Sequence, residues 1–373
     1  MTTKHHITLL LLLLVISHWS IGQKLNNNKT DPILCTDTLP LTTTKLPSDL
    51  PQRVSIIGVG DIMLGTNFPN PKHLPLGDGS SLMAPLVPLL QSASVTFGNL
   101  EGAFSDSLPV TKSCRDTSHC YAFRSPDYLF DNIVEAGFDV LSMANNHSGD
   151  LGERGRNHTM ALIEESGLQH VGLLGHPSAI VERDGIKFGF CAFSPNNGTY
   201  DINDLKKAQE IVSNLSGKCH IVVVSFHGGA EGAKYQHVPK KQELFLGERR
   251  GDVHRFAHGL IDAGADVILG HGPHVVRAME IYKDRFIIYS LGNFCTYSRI
   301  KISGVNGYAP IIKISTTPFG KLIKGKIHAC HQIKGIGTRL DPNNRAIEKI
   351  KNLTLTDFPN NKLTISAQGD ILP

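Results

Sequence analysis

The chain has 373 residues, 40% of them hydrophobic and 19% charged, which is globular composition and excludes a disordered, collagen-like or coiled-coil protein. Lys plus Arg total 37 against 33 for Asp plus Glu, so the formal net charge is only +4, and without a basic run nothing marks a nucleic-acid binder. The length suits one large domain or two small ones with a sizeable core.

In chain order, Lys4, His5 and His6 precede an apolar run from Ile7 to Ile16, and Ser20-Ile21-Gly22 then supplies small residues before Gln23. Residues 1–22 therefore read as a secretory signal peptide, with an uncleaved anchor or a buried strand as the alternatives. The apolar run is about half of the ~20 residues that a membrane-spanning helix needs. No cysteine stands at the cleavage point, which argues against a bacterial lipoprotein. The expected destination is the periplasm, the cell surface or the medium. Residues 23–51, rich in Asn, Thr, Pro and Asp, read as a flexible lead-in. In an oxidising compartment Cys114 and Cys120 can close a small disulfide loop, whereas Cys191 and Cys295 lie in or beside apolar runs and read as buried thiols. The total of seven cysteines leaves at least one outside any intramolecular bridge.

From Arg53 onward apolar runs alternate with amphipathic stretches. Strands are expected at Val54–Gly58, Ala93–Phe97, Val140–Met143, Lys187–Phe193, Ile221–Phe226 and Val267–Leu269. Helices are expected at Pro126–Ala136, Gly155–Ser166, Ile202–Leu215 and Gly251–Ala263, from apolar residues at three- and four-residue spacing. Val276–Tyr282 and Arg285–Ser290, parted by Lys283-Asp284, read as a hairpin. The alternation indicates an α/β domain over residues 52–317 with buried, largely parallel strands. Residues 318–373, with an alternating stretch Lys321–His328 and a short helix Arg345–Lys351, read as an extension of the same domain.

The chemistry-bearing residues follow the expected strands. Asp61 comes after the first, Asn99 and Glu101 after the second, and Asn145-Asn146-His147 after the third. His227 ends another, and His271 and His274 follow the last. In α/β sheets the carboxyl ends of strands converge on one edge, where ligands bind. Taken singly, each residue reads first as a turn former or a helix cap. Five strand ends carrying Asp, Glu, Asn or His form a set of oxygen and nitrogen donors, suited to Mn, Fe or Zn rather than to a thiolate site.

These residues lie in six motifs that resemble the CapA group, the poly-γ-glutamate capsule synthesis proteins of the calcineurin-like metallophosphoesterase superfamily. They stand here as Val59-Gly60-Asp61-Ile62-Met63-Leu64-Gly65, Gly98-Asn99-Leu100-Glu101 and Ala144-Asn145-Asn146-His147-Ser148-Gly149-Asp150-Leu151-Gly152. They continue as His227-Gly228-Gly229-Ala230-Glu231, Gly270-His271-Gly272-Pro273-His274-Val275 and Tyr289-Ser290-Leu291-Gly292-Asn293-Phe294. The resemblance implies an α/β metallophosphoesterase-like sandwich of two mixed sheets flanked by helices. It implies one or two divalent ions held by Asp61, Glu101, Asn146, His227, His271 and His274. It makes His147 the general acid. Asp150 would orient that imidazole or cap the following helix, the cap being slightly favoured. Glu231 and Asn293 match family positions as a supporting partner and a turn residue. Met63 stands where the wider superfamily has a histidine, Gly228 where an aromatic is common and Gly272 where a second histidine is frequent, so a single ion is favoured over two.

Other conspicuous residues carry less. His254 and His258 lie four apart on an expected helix, the spacing of a ligand pair, but that helix follows no glycine-rich strand end, and a solvated face is the favoured reading. Lys240-Lys241 and Arg249-Arg250 flank the segment between His227 and that helix, where they can meet an anionic polymer or phosphate entering the cleft, although exposed surface charge is the commoner reading. The expected function is an exported, metal-dependent, phosphoesterase-type hydrolase linked to capsule or poly-γ-glutamate production, acting on an anionic polymer or phosphoester and working beside envelope biosynthesis proteins. The alternative is a non-catalytic polymer-binding or assembly component of the envelope.

Overall fold

The computed structural model describes residues 50–113 and 121–373. The signal-peptide segment, all but the end of the lead-in and the Cys114–Cys120 loop fall outside those residues. Strand Val54–Met63 is buried almost throughout because its alternate side chains enter two different cores. Ile56 joins Phe97, Phe190 and Val223 on one face, while Ile57 and Val59 join Phe130, Leu141 and Ile163 on the other.

That strand is central to a mixed sheet of nine strands. On one side run Val95–Leu100, Val140–Ser142 and Gln169–Val171, all parallel to it and to one another. On the other run Ile311–Thr316 and Leu322–His328, antiparallel, followed by Asp370–Leu372 and Thr364–Ile365. Asn293–Thr296 pairs in parallel with the end of the first strand. The second sheet has six strands, ordered Met279–Tyr282, Arg285–Ile288, Val267–His271, Ile221–His227, Ile186–Phe193 and Ser178–Arg183. Its inner four are parallel and its two edge strands antiparallel.

The sheets face each other across the first core, where Phe97 and Phe190 stack at 5.8 Å with planes 4° apart. Cutting such a ring back to Ala typically costs ~3–5 kcal/mol. Helices Asp131–Ala136 and Gly152–Glu165 cover the outer face of the first sheet through Ile133 and Ile163. Helices Leu205–Ser216, Val253–Asp262 and Arg345–Asp357 cover the second through Val212, Phe256, Leu260 and Leu353. Asp204 and Asp252 cap the first two of these, accepting from the backbones of Lys207 and Arg255. The architecture is the sandwich of two mixed sheets flanked by helices that the motifs implied.

Three local differences have physical reasons. The segment expected as a helix from Pro126 opens as a 3-10 turn, Asp127–Phe130, and becomes α-helical only at Asp131, ending where Gly137 turns left-handed at φ 81°. The helix beginning at Arg345 runs on to Asp357, because Ile350, Leu353 and Thr354 stay buried. Strand Ser178–Arg183 is not among the expected elements because it is a sheet edge with one fully buried side chain, Val181. Cys191 and Cys295 are free and buried, and burial pushes the Cys295 thiol up to about 12. Among the described residues no helix is long and apolar enough to cross a membrane.

Candidate metal centre

The cleft lies where strand ends from both sheets meet. Gly60 brings the first strand close to the Gly292 turn: a Cβ there would stand 1.9 Å from the Gly292 carbonyl oxygen. The close approach lets the Asp61 N–H donate to that oxygen at 3.0 Å, and the strand bulges as it passes Asp61. Asp61 is fully buried. Its Oδ1 accepts from Asn99 Nδ2 at 2.8 Å, and Asn145 Nδ2 donates to Asn99 Oδ1 at 3.1 Å.

His274 reaches Asp61 from the second sheet. Its backbone is left-handed at φ 55°, a costly conformation for a non-glycine residue, and Asn293 and Asn306 hold it by donating to its carbonyl. Its Nδ1 lies 3.0 Å from both Asp61 Oδ2 and Asn293 Oδ1. Its Nε2 is 3.5 Å from Glu101 Oε1 and 4.0 Å from Glu231 Oε2. Asp61, Glu101 and His274 each offer a donor atom within 4.8 Å of the others'.

Burial pushes the Glu101 carboxyl up to about 8, the pull of His274 only partly opposing it while Asp61 and Glu231 add to it. Burial alone would lower His274, but Glu101, the hydrogen bond to Asp61 and Glu231 together hold it well above the usual imidazole range. The site is thus short of positive charge. Neither Glu101 oxygen has a hydrogen-bond partner among the described residues, nor do Asn146 Oδ1 and His227 Nδ1. Orphaned buried oxygens and imidazole nitrogen are the donors a divalent cation satisfies, so these residues fit the metal that the donor set implied.

The other expected residues divide. Asn146 and His147 line the same cleft of about 450 Å³ as Glu101, Glu231, Arg250 and His274. His227 stands beside His274, ring centroids 6.3 Å apart, and is held well below the usual imidazole range by burial and by Arg250. His271 has both nitrogens engaged, Nε2 at 3.0 Å from the Val59 carbonyl and Nδ1 at 3.2 Å from Ser225 Oγ. Gly272, at φ 113°, lies against the other strand end: a Cβ there would stand 2.7 Å from the Gly228 nitrogen. Larger residues at these glycines would force the strand ends apart.

Two readings need correction. Asp150 does not cap the following helix, whose N-cap Leu151 makes no side-chain cap bond. Asp150 Oδ2 instead lies 2.7 Å from His147 Nδ1 and accepts from the Phe123 N–H, while Lys112 Nζ pairs with Oδ1 at 2.9 Å. Arg250 is not surface charge but almost fully buried, pairing with Glu231 Oε1 at 2.9 Å and donating to the Gly229 carbonyl. Lys240, Lys241 and Arg249 are exposed. Sequence reasoning missed Lys112 and Phe123, whose ring stacks on His147 at 4.1 Å. Both come from loop sequence without periodicity, and nothing local points them at the cleft.

The model of the bacterial capsule synthesis protein PGA_cap family matches residues 55–298. The chain belongs to that family. It is 28% identical over 269 residues to the capsule biosynthesis protein CapA of Bacillus anthracis, covering 65% of this chain and 60% of that one. It is 27% identical over 256 residues to the PGA biosynthesis protein CapA of Bacillus subtilis, covering 63% and 61%. The chain thus spans about three fifths of the length of these curated relatives. Among solved structures, a hypothetical protein from Thermus thermophilus aligns with a TM-score of 0.47 at 14% identity, over 75% of this chain and all of that one. The PGA_cap match takes in all eight residues singled out for metal binding and catalysis, from Asp61 to His274.

Proposed function

We propose that this PGA_cap protein is an exported, metal-dependent hydrolase of the phosphoesterase type, serving capsule or poly-γ-glutamate production at the cell envelope. One observation carries the proposal: the donor atoms of Asp61, Glu101 and His274 converge within 4.8 Å, and both buried Glu101 oxygens lack a hydrogen bond among the described residues. Asp61, Glu101 and His274 would hold a Mn, Fe or Zn ion, with Asn146 and His227 beside them as further donors. When bound, the ion lowers the pKa of water and neutralises charge on an anionic substrate.

The chain's own groups supply the rest. With Nδ1 directed at Asp150, His147 presents Nε2 as the atom that holds or delivers a proton at the leaving oxygen. Lys112 and Asp150 fix that ring's orientation, and the Phe123 ring covers one of its faces. Lys112 and Arg250, both lining the cleft, place positive charge where a phosphoryl or carboxylate group enters. The second reading, a binding or assembly component without turnover, rests on His271, whose engaged nitrogens shorten the available ligand set.

The test is metal content by mass spectrometry, on protein beginning at Gln23 and reconstituted with Mn, Fe or Zn, followed by hydrolysis of aryl phosphoesters. Glu101→Gln is expected to lose at least one equivalent relative to the parent. His147→Ala should keep the metal and lose turnover by about 10²–10⁴-fold. Equal metal in parent and Glu101→Gln overturns the metal centre. Metal that is bound without turnover of any phosphoester selects the second reading.

A further inference from the structure

Helix Val253–Asp262 carries His254 and His258 four residues apart, which places both rings on one face, with centroids 4.1 Å apart. Strand Met279–Tyr282 brings Glu280 up to that face. Its Oε2 lies 3.0 Å from His258 Nε2 and accepts from the Tyr289 hydroxyl at 2.6 Å. Each of the three residues offers a donor atom within 4.8 Å of the others'. The expectation of a solvated histidine face fails, because all three side chains are half-buried and packed.

We propose that His254, His258 and Glu280 form a second metal site, sharing no residue with the Asp61, Glu101 and His274 cluster and independent of its role, that takes one divalent cation of the zinc, nickel or copper class. Two imidazoles and a carboxylate suit such a borderline cation, and three protein ligands leave a fourth position for water. Ligand atoms ~2.0–2.1 Å from a tetrahedral ion stand about 3.3 Å from one another. The 3.0 Å separation of His258 and Glu280 is already close to that edge.

The surroundings prepare the ligands. Tyr289 orients the carboxylate, and the Tyr282 ring stacks on His258 at 3.8 Å with planes 17° apart. His254 packs against Tyr289 and Phe358, and its ring nitrogens have no hydrogen-bond partner among the described residues. A simple ion pair between His258 and Glu280 gives His254 nothing to do. Neighbouring ammonium groups are committed elsewhere: Lys240 to the Asp357 carbonyl and the Phe358 face, and Lys283 to Asp262. A bound ion would tie the outer helix to the hairpin at the edge of the second sheet.

The experiment counts zinc. The parent and a His254→Gln, His258→Gln double variant are reconstituted with ZnCl2, desalted and analysed by mass spectrometry, with circular dichroism to verify folding. The double variant is expected to retain one zinc fewer per chain, whatever the cleft binds, while Glu101→Gln retains this zinc. Should the double variant fail to fold, Glu280→Gln leaves both rings in place and is expected to weaken zinc binding at this site at least about 10-fold in calorimetric titration. Equal zinc in folded parent and double variant, or unchanged affinity in Glu280→Gln, overturns the site.

Discussion

The two sheets bring different chemistry to the same cleft. The first delivers Glu101, His147 and Asp61, the last locked by a neutral relay in which Asn145 donates to Asn99 and Asn99 to Asp61, at 3.1 and 2.8 Å. The second delivers imidazoles on loops held by buried charge. Behind the His227 loop, Arg277 forks onto both oxygens of Glu243 at 2.8 Å, and Glu243 in turn accepts from the Ala230 N–H. An amide relay asks little desolvation and loses one bond at a time. A buried ion pair is costly to assemble and more costly to leave half made. The second half of the site therefore stands on the more brittle scaffold.

The largest effect should come from breaking that scaffold. Arg277→Met leaves Glu243 charged and buried, and strips the Tyr235 and Ala230 carbonyls of their donor. The expected loss is about 3–5 kcal/mol of stability in urea unfolding. Adding Glu243→Gln should recover part of it, since the stranded charge disappears. A loss below about 1 kcal/mol for Arg277→Met alone would show that both halves are held in the same way.

A smaller effect is expected in the relay. Asn99→Ala takes one donor from Asp61, while Asn145 Nδ2 keeps its bond to the Leu100 carbonyl at 2.8 Å. The cost should be about 1–3 kcal/mol, with metal affinity reduced because Asp61 Oδ1 loses its hydrogen bond and only Oδ2, against His274, still holds the carboxylate. Stability falling as far as in Arg277→Met would erase the contrast between amide and charge.

The same contrast explains what the sequence could disclose. Strand ends are marked by apolar runs, so Asp61, Glu101, His227 and His274 stand out by position alone, and the α/β class with its parallel strands follows from the alternation, whereas the division into two sheets comes only with the motif resemblance. Side-chain direction is not marked. His271 and His274 share one motif, yet one ring turns to the Val59 carbonyl and the other to the carboxylates. Arg249 and Arg250 are adjacent, yet one is exposed and the other nearly fully buried. Glu280 meets His254 and His258 only because a hairpin returns beside the helix, a contact that no local pattern records. Lys112 and Phe123 reach His147 from irregular loops for the same reason.

The smallest expected effect tests an imidazole that the first sheet keeps away from the cleft. His170, on strand Gln169–Val171, is buried with its Nε2 2.8 Å from Glu164 Oε1. Burial lowers its pKa from the usual 6.5; Glu164 opposes this without cancelling it, and His176, with its ring 5.2 Å away, lowers it further. The folded protein therefore binds this proton less tightly than the unfolded chain. Its contribution to stability is whole above the ordinary imidazole pKa and is lost as pH falls from about 6.5 toward the lowered value. His170→Gln cannot titrate, so its melting temperature should decline less between pH 7 and pH 5.5 than that of the parent, by about 1–3 °C. Protonation of the cleft is common to both proteins and drops out of the difference. Parallel decline would mean that Glu164 compensates the burial fully, and that the imidazoles of the first sheet are no more acid-sensitive than its amides.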